Sequence, residues 1–341
     1  MIIRSRAPLR LGFGGGGTDI SSFCDAHGGY VINAAIDKYA YATIQITNNK
    51  QINFVATDQK KSYSYDYEAS LPLNGELDLH KATYNRCIQE FNNGNPISLT
   101  LTTYADVPPG SGLGSSSTLV VAMVKAFVEL LNVPLSEYEI AHLAYEIERH
   151  DAGLNGGKQD QYAAAFGGFN FIEFYANNRV VVNPLRIKNW ILCELEASLL
   201  LFYTGISRTS ATIIDEQTKN IKNHDEQSIN AMHSLKQDAV AMKESILKGD
   251  FKTFGQSLDA SWQSKKSTAH NVTNDNIDMI YDAAKLAGAK AGKISGAGGG
   301  GFMMLYVEPL KRTEVINTLN QFSGIVSNCH FTKHGCQAWR V

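Results

Sequence analysis

The sequence has few cysteines, no long apolar segment and no excess of charge of either sign. Its five cysteines are odd in number and mostly far apart, which argues against a disulfide framework and favours reduced thiols. No apolar stretch approaches the roughly 20 residues that a membrane span requires, and Met1–Arg6 has no apolar signal core. A formal net charge of −2 gives no general field for nucleic acid or an anionic membrane. We therefore expect a cytoplasmic protein with neither nucleic-acid nor membrane partners.

Two common nucleotide-binding patterns are absent or incomplete. The P-loop pattern G-x-x-x-x-G-K-[ST] does not occur, and its nearest match, Gly153 to Gln159, is one residue short. Gly12, Gly14 and Gly17 formally satisfy the dinucleotide pattern G-x-G-x-x-G. However, only Ile20 to His27 could be helical after it, about two turns, which is too short for the crossover helix of a βαβ unit. The sequence therefore argues against both nucleotide folds.

Strand and helix patterns interleave along the chain, without a repeat or a low-complexity linker. The spacing of apolar residues predicts strands at 2–11, 30–36, 39–47, 97–104, 191–203, near 293, at 302–307 and at 325–331. Helices are predicted at 81–91, 118–131, 136–149, 210–254 with interruptions near Asn223 and Gly249, 275–287 and 310–322. Ser136 and Glu139 form a capping-box pattern at the third of these helices. The length exceeds one ordinary core, so we predict an α+β fold of two domains, 1–188 and 189–341.

Three glycine-rich loops interrupt this pattern, at 12–17, 110–114 and 296–301. The middle loop leads directly into an apolar helix whose first turn carries Ser115, Ser116 and Ser117. A helix start offers free N–H groups and a partial positive charge, which suit phosphate, and serine hydroxyls there can bind phosphate or Mg²⁺. Taken alone, this loop is equally explained by a turn followed by an ordinary serine N-cap.

Taken together, the three loops resemble the motifs of the GHMP kinases, a family named for galactokinase, homoserine kinase, mevalonate kinase and phosphomevalonate kinase. The first motif is Arg6-Ala-Pro-Leu-Arg-Leu-Gly-Phe-Gly-Gly-Gly-Gly-Thr-Asp19, the second spans Pro108–Ser117, and the third spans Lys293–Phe302. The resemblance implies a first domain like domain 2 of ribosomal protein S5, a ferredoxin-like second domain, and ATP bound between them. It places the ATP phosphates on the second motif, at Pro109, Gly110, Ser111, Gly112, Leu113, Gly114, Ser115, Ser116 and Ser117.

Further segments resemble one branch of this family, the D-glycero-D-manno-heptose 7-phosphate kinases. They lie at 143–149, 156–163, 166–171 and 337–340. The branch implies transfer of phosphate from ATP to the anomeric C1 hydroxyl, which gives the 1,7-bisphosphate for nucleotide-heptose synthesis. Composition and spacing alone say nothing about heptose.

The resemblance also implies catalytic roles for particular residues. Asp160, in a Gly-Gly-x-x-Asp-Gln segment, matches the aspartate that orients and deprotonates the acceptor hydroxyl. Arg10 matches an arginine that stabilises the reacting oxygen or that carboxylate. Ser116 and Glu148 match Mg²⁺ ligands; Glu146 points about 200° away on a helix, so only one glutamate can face the cleft. Each residue also has a purely structural alternative. Asp160 could be an ordinary carboxylate at a helix start, Arg10 could form an exposed ion pair, and the glutamates could be solvated on a helix surface.

The acceptor sugar is expected to lie against the end of the first motif, at Gly16, Gly17, Thr18 and Asp19. Asp19 matches a sugar-binding aspartate of galactokinases, in which Glu and His precede it. The glycines here make galactose less suitable and leave room for a bulkier sugar. Alternatively, Thr18 and Asp19 cap the short helix that follows.

The rest of the acceptor must also be accommodated. Gly298 and Gly299 of the third motif are predicted to contact substrate. The phosphate of the acceptor requires a cation, for which Arg208, in a loop before a helix, and the pair Lys265–Lys266 are candidates. The lysine pair also fits a solvated helix face.

The sequence therefore predicts an ATP-dependent sugar-phosphate kinase that uses Mg²⁺, and it leaves a homodimer open. Two alternatives remain. One is a GHMP kinase for fucose, galactose or mevalonate. The other is a catalytically silent sensor of ATP and sugar, against which the presence of Asp160, Arg10 and Glu148 argues.

Overall fold

The computed structural model describes residues 1–205 and 210–341, which form two β-sheets with helices packed on them. The strands are β1 (Ile2–Gly14), β2 (Gly29–Ile46), β3 (Gln51–Ala56), β4 (Lys61–Asp66), β5 (Leu99–Ala105), β6 (Phe169–Phe174), β7 (Val180–Pro184), β8 (Leu199–Tyr203), β9 (Ala289–Ile294), β10 (Phe302–Val307), β11 (Ile325–Asn328) and β12 (Gln337–Arg340). The helices are α1 (Ser21–His27), α2 (Asp78–Phe91), α3 (Ser115–Leu131), α4 (Glu137–Glu146), α5 (Gln159–Phe166), α6 (Asn189–Ser198), α7 (Ser210–Lys222), α8 (Glu226–Lys248), α9 (Phe251–Lys266), α10 (Asp275–Leu286) and α11 (Arg312–Leu319). A π-helical turn, Ile147–Asp151, directly follows α4, and 3₁₀ turns lie at His270–Val272 and Pro309–Lys311.

The first sheet is organised around the long strand β2. One edge of β2 pairs with β1, while the other pairs with β6 along Gly29–Ala34 and with β5 along Ala40–Ile46. The main strand order is β12-β1-β2-β5-β3-β4, and β6 and β7 lie off this path. Helices α2 to α5 cover one face, where apolar side chains of α3 pack on the sheet. This packing fixes the start of α3 beside Arg10 of β1 and the first turn of α5.

The second sheet has the strand order β11-β8-β10-β9, and all its pairs are antiparallel. Along the chain, helices separate β8 from β9, a glycine-rich loop joins β9 to β10, and α11 connects β10 to β11. This is the βαββαβ arrangement of a ferredoxin-like fold, as predicted. The last strand, β12, returns to the first sheet and pairs with β1. A domain boundary between residues 188 and 189 stays a prediction.

One prediction of local structure is wrong. Residues 191–203, read as a single strand, instead form most of α6 followed by β8. The buried side chains of α6 are Ile191, Leu195 and Ser198, which recur with a helical period. Because leucines fill both segments, the apolar run hides the change of period at Leu199.

Other expectations agree with the structure. The Ser136 hydroxyl accepts from the Glu139 backbone N–H, and the Glu139 carboxylate accepts from the Ser136 N–H, so the capping box is confirmed. All five cysteines are free thiols. No helix in the described ranges is both long enough and apolar enough to cross a bilayer.

A shared apolar cluster joins the two sheets. It includes Leu11 and Phe13 of β1, Met242 of α8, Phe254 of α9 and Met304 of β10, all of them buried. Phe13 stacks against Phe169 and meets the edge of Phe254. Separating the two sheets would expose this cluster to water, so the fold favours a fixed relation between them.

The second and third glycine loops are in direct backbone contact. The Phe302 N–H donates to the Ser111 carbonyl at 2.8 Å, and the Gly301 backbone lies against the same residue. Gly301 has φ +86°, and a Cβ there would lie 2.2 Å from the Ser111 carbonyl oxygen. Glycine is therefore required both by the left-handed backbone and by the close approach.

We predict that Gly301→Ala destabilises the protein more than a glycine substitution that costs only backbone strain. Gly75 supplies that control, because its φ is +88° but nothing lies within 4 Å of its ideal Cβ. Gly75→Ala should cost at most about 1–2 kcal/mol of local strain, and Gly301→Ala should cost more, because the two loops must also separate. Urea unfolding midpoints of both variants test this, and equal shifts would contradict the proposed contact.

Candidate active site

A cleft of about 420 Å³ opens between the start of α3 and the third glycine loop. Most of the residues predicted from the sequence line it: Arg10, Gly17, Asp19, Pro109, Gly110, Gly112, Gly114, Ser115, Ser116, Ser117, Glu148 and Asp160. Residues separated by more than a hundred positions in sequence therefore meet at one site.

Arg10 and Asp160 form the central ion pair of this cleft. The Arg10 Nε and Nη2 atoms both lie 2.8 Å from Asp160 Oδ1, and the Arg10 side chain is almost fully buried. Asp160 occupies the first turn of α5. Asp160 Oδ2 has no hydrogen-bond donor among the described residues and lies 3.1 Å from the position of an ideal Gly114 Cβ. The arginine thus orients one oxygen and leaves the other open beside the start of α3.

Glu148, and not Glu146, faces the cleft. Glu148 is buried, and its Oε1 accepts a 2.9 Å hydrogen bond from the Ser116 hydroxyl. Glu146 instead lies 3.6 Å from His150 and 4.0 Å from His142, on the outer side of the helix. Glu148 belongs to the π-helical turn that follows α4, and such turns are frequent at functional sites.

Gln161 completes this polar group, although the sequence analysis did not select it. Its Nε2 donates to Glu148 Oε2 at 2.7 Å and to the Ser117 hydroxyl at 3.2 Å. Ser116, Ser117 and Glu148 are therefore linked by short hydrogen bonds at the start of α3. A carboxylate and a hydroxyl oxygen are ligands that suit Mg²⁺ when phosphate oxygens and water fill the remaining positions. The sequence offers one sign that Gln161 belongs to the site, namely that it directly follows Asp160.

Asp19 holds the start of α5 in place. Its Oδ2 accepts from the backbone N–H groups of Lys158 and Gln159 at 2.9 and 3.0 Å. Its Oδ1 accepts from the Gly17 N–H and from the Gln159 side chain at 3.0 and 3.1 Å. These four donors come from the protein, and three of them belong to Lys158 and Gln159, the residues just before Asp160. The predicted contact of Asp19 with sugar stays a prediction, and the structure gives Asp19 a positioning role as well.

Several predicted binding residues serve the packing of the loops. Thr18 is completely buried, and its hydroxyl bonds to the Gly15 and Tyr30 backbone, so contact with a sugar would require those bonds to break. The Leu113 carbonyl accepts from the Arg10 N–H at 3.2 Å.

The predicted contacts of the third motif lie away from the cleft. The Gly299 N–H donates to the Val272 carbonyl at 2.7 Å, and Gly298 packs on the same residue. Gly296 and Ala297 line the cleft in their place. The third motif therefore reaches the site at its beginning, because its end is held against the 3₁₀ turn.

The cations proposed for the acceptor phosphate differ in their surroundings. Arg208 lies outside the described residues. Lys266 lies 3.8 Å from Asp278 and over the Trp262 ring, away from the cleft. Lys265 is only 2% exposed and lines the cleft, so the solvated-face interpretation is wrong for this residue. Charge patterning could not distinguish the two lysines, because adjacent positions on a helix point in different directions.

Two buried lysines, Lys265 in the cleft lining and Lys293 behind it, have lowered pKa values. Burial lowers the pKa of Lys265 to about 8, an effect that the Asp19 carboxylate opposes. Burial, reinforced by the nearby charge of Lys265, also lowers the pKa of Lys293 well below its ordinary value. The Lys293 ammonium donates to the Phe13 carbonyl at 3.1 Å behind the first motif. A positive charge in this region is therefore poorly compensated by the protein itself.

The loops, the ion pair and the serine-rich helix start together place this chain among the GHMP kinases. The profile of the GHMP kinases N terminal domain matches residues 78–168, and that of the GHMP kinases C terminal matches residues 242–323. The chain is 51% identical over 339 residues to the D-glycero-alpha-D-manno-heptose 7-phosphate kinase of Campylobacter jejuni, covering 99% of both chains. The chain belongs to the GHMP kinase family, as its motifs predicted.

Two crystal structures with substantial identity have the same fold. A D-glycero-D-manno-heptose 1-phosphate kinase from Bacteroides thetaiotaomicron superposes with a TM-score of 0.85 at 44% identity, covering 99% of each chain. A sugar kinase from Campylobacter jejuni superposes with a TM-score of 0.83 at 49% identity, covering 100% of this chain and 98% of the other. The predicted two-domain GHMP kinase fold is confirmed.

We predict that Asp19→Asn lowers both stability and turnover. An asparagine would turn an N–H₂ group towards backbone donors that the carboxylate now satisfies, at a cost of about 1–3 kcal/mol. The start of α5 should shift, and Asp160 with it, so kcat should fall while the variant remains folded. Asp25→Asn is the control, because Asp25 is half-exposed and lies 3.7 Å from the Lys158 ammonium. Urea unfolding and steady-state kinetics would reveal the difference, and wild-type values for Asp19→Asn would exclude the positioning role.

Proposed function

We propose that this protein transfers the γ-phosphoryl group of ATP to the anomeric C1 hydroxyl of D-glycero-D-manno-heptose 7-phosphate, in the cytoplasm. The observation that carries the proposal is the ion pair between Arg10 and Asp160, which directs an open carboxylate oxygen to the start of α3. The 51% identity to a heptose 7-phosphate kinase supports the choice of acceptor.

Asp160 is suited to activate the acceptor hydroxyl. In the proposed reaction, its Oδ2 takes the hydroxyl proton while the hydroxyl oxygen forms a bond to the γ-phosphorus. The bond between that phosphorus and the β,γ-bridging oxygen breaks, and its electron pair leaves with ADP. Arg10 holds the carboxylate in place, and a positioned base of this kind contributes typically about 10²–10⁴-fold to the rate.

The start of α3 is suited to the triphosphate. Ser115 and Ser116, in the first turn of α3, line the same cleft as Asp160, and a helix start offers free N–H groups to phosphate. Ser116 and Glu148 would hold Mg²⁺, which supplies neutralising charge to the phosphate oxygens when bound. Gln161 orients the Glu148 carboxylate for this purpose.

The position of the phosphate on the acceptor needs a direct test, since one relative is named for the heptose 7-phosphate and another for the heptose 1-phosphate. Either acceptor would give the same 1,7-bisphosphate. We therefore propose to supply each monophosphate separately, with ATP and Mg²⁺, and to follow the reaction by ³¹P NMR. A new anomeric phosphate resonance from the 7-phosphate alone would support the proposal.

Asp160→Asn provides the matched catalytic control for this experiment. It should retain the fold and the binding of ATP while turnover falls by about 10²–10⁴-fold, because the base is lost. Turnover of the 1-phosphate alone, or of fucose, galactose or mevalonate, would contradict the proposed acceptor. ATP binding without turnover of any acceptor would instead indicate the silent sensor.

The two glutamates of the α4 region give a separate test of the metal site. Glu148→Gln should raise the Mg²⁺ concentration needed for half-maximal activity by at least about tenfold, because a charged ligand is lost. Glu146→Gln should change it little, since Glu146 contacts His142 and His150 outside the cleft. Activity measured over a series of Mg²⁺ concentrations decides the matter, and equal effects of the two substitutions would reject the assignment.

A further inference from the structure

Lys265 is a buried cation in the cleft that the reaction described above does not use. It lies in the last turn of α9, is only 2% exposed and lines the cleft. Its ammonium donates to the Gly16 carbonyl at 3.1 Å. No carboxylate of the described residues lies within 4.0 Å of it, so two of its three N–H donors have no partner there.

Such an arrangement is costly unless a ligand completes it. A buried charge that no opposite charge contacts loses its hydration and recovers only part of that loss from more distant charges. The lowered pKa of Lys265, about 8, reflects this burial. A bound anion would supply the missing acceptors and would favour the charged ammonium. The surroundings of Lys265 therefore fit an anionic group of a substrate better than a purely structural role.

The position of Lys265 favours the acceptor over the nucleotide. A Cβ on Gly16 would lie 3.6 Å from the Lys265 ammonium and 3.4 Å from Gln159 Nε2. These contacts place the lysine against the first motif and the residue that precedes Asp160. The ATP phosphates are assigned to the second motif, and the Arg10 guanidinium contacts that motif through the Gly112 carbonyl at 2.5 Å. Lys265 thus belongs to the wall that an acceptor bound at Asp160 would face.

Other cations near the cleft are already committed to protein acceptors or lie elsewhere. Arg149 donates to the Gly157 and Leu154 carbonyls and lies 3.4 Å from Glu148. Lys293 bonds to the Phe13 carbonyl and does not line the cleft. Lys266 pairs with Asp278. Among the described residues close to Asp160, Lys265 is therefore the cation best placed to receive a new anion.

We propose that Lys265 binds the phosphate that the acceptor sugar already carries, and so makes the enzyme select phosphorylated over unphosphorylated heptose. This inference rests on the proposed function. It assigns acceptor selection to a residue of α9, at the end of the helix that packs against β9 and reaches the first glycine loop.

The test compares Lys265→Met with Lys265→Arg and with the neighbouring control Lys266→Met. Initial rates are measured with heptose 7-phosphate, with unphosphorylated heptose and with varied ATP. For Lys265→Met we expect the KM for heptose 7-phosphate to rise about 10- to 100-fold, the loss of one charge-assisted hydrogen bond to phosphate. The KM for ATP and the kcat/KM for unphosphorylated heptose should change little. Lys265→Arg should recover part of the lost affinity, and Lys266→Met should behave as wild type.

The outcomes separate this inference from the proposed function. If wild type phosphorylates heptose 7-phosphate and Lys265→Met keeps its KM, the inference alone is overturned. An equal fall in kcat/KM with phosphorylated and unphosphorylated heptose would indicate a structural role. A raised KM for ATP would indicate that Lys265 contacts the phosphoryl group being transferred. Either result rejects acceptor selection by Lys265. Wild type that turns over no heptose phosphate overturns the proposed function and this inference with it. Circular dichroism of each variant verifies folding, and Lys265→Arg maintains the test should Lys265→Met fail to fold.

Discussion

The site depends on one guanidinium group. From β1, Arg10 pairs with Asp160 at the start of α5 and donates to the Gly112 carbonyl at 2.5 Å in the second glycine loop. It also lies 3.5 Å from the hydroxyl of Ser295, which directly precedes the third glycine loop. Four segments that are distant in sequence are thereby held around one buried charge. Removing the guanidinium would leave the Asp160 carboxylate without its ion-pair partner and the loops without a shared hydrogen-bond donor. Arg10 therefore both positions these segments and balances the charge of Asp160.

The second and third glycine loops, near Arg10, lie at the boundary between the two sheets. The second loop precedes α3 of the first sheet, while the third joins β9 and β10 of the second. Their backbones touch at Gly301 and Ser111, where a side chain would not fit. Together with the apolar cluster around Phe13 and Phe254, this contact ties the phosphate-binding helix start to the second sheet. A cleft built in this way owes its shape to both halves of the chain.

The sequence predicted the motifs well and their surroundings less well. Asp160, Arg10, Ser116 and Glu148 were found because glycine patterns and family motifs locate them, and the structure brings them together.

The sequence could not predict which side chains tertiary packing would bury. Lys265 resembled a solvated lysine because charge on a helix does not reveal what packs against it. Gln161 went unnoticed because a neutral amide carries no signal until its partner Glu148 is placed. The apolar run through α6 and β8 concealed a change of period that packing on two different surfaces produced.

The hydrogen-bonding groups of the cleft that have no protein partner indicate the kind of substrate that it can bind. Asp19, Glu148 and Asp160 are the three carboxylates of the cleft. Asp19 accepts hydrogen bonds from four protein donors, and Glu148 accepts them from Ser116 and Gln161. Among the described residues that line the cleft, Asp160 Oδ2 is the carboxylate oxygen left without a donor, and Lys265 is the ammonium left with spare N–H groups. One free acceptor and one free cationic donor in the same cleft match a molecule that presents a hydroxyl at one end and an anion at the other. A sugar phosphate meets that requirement, whereas a neutral sugar would leave the buried lysine with no anion in contact with it.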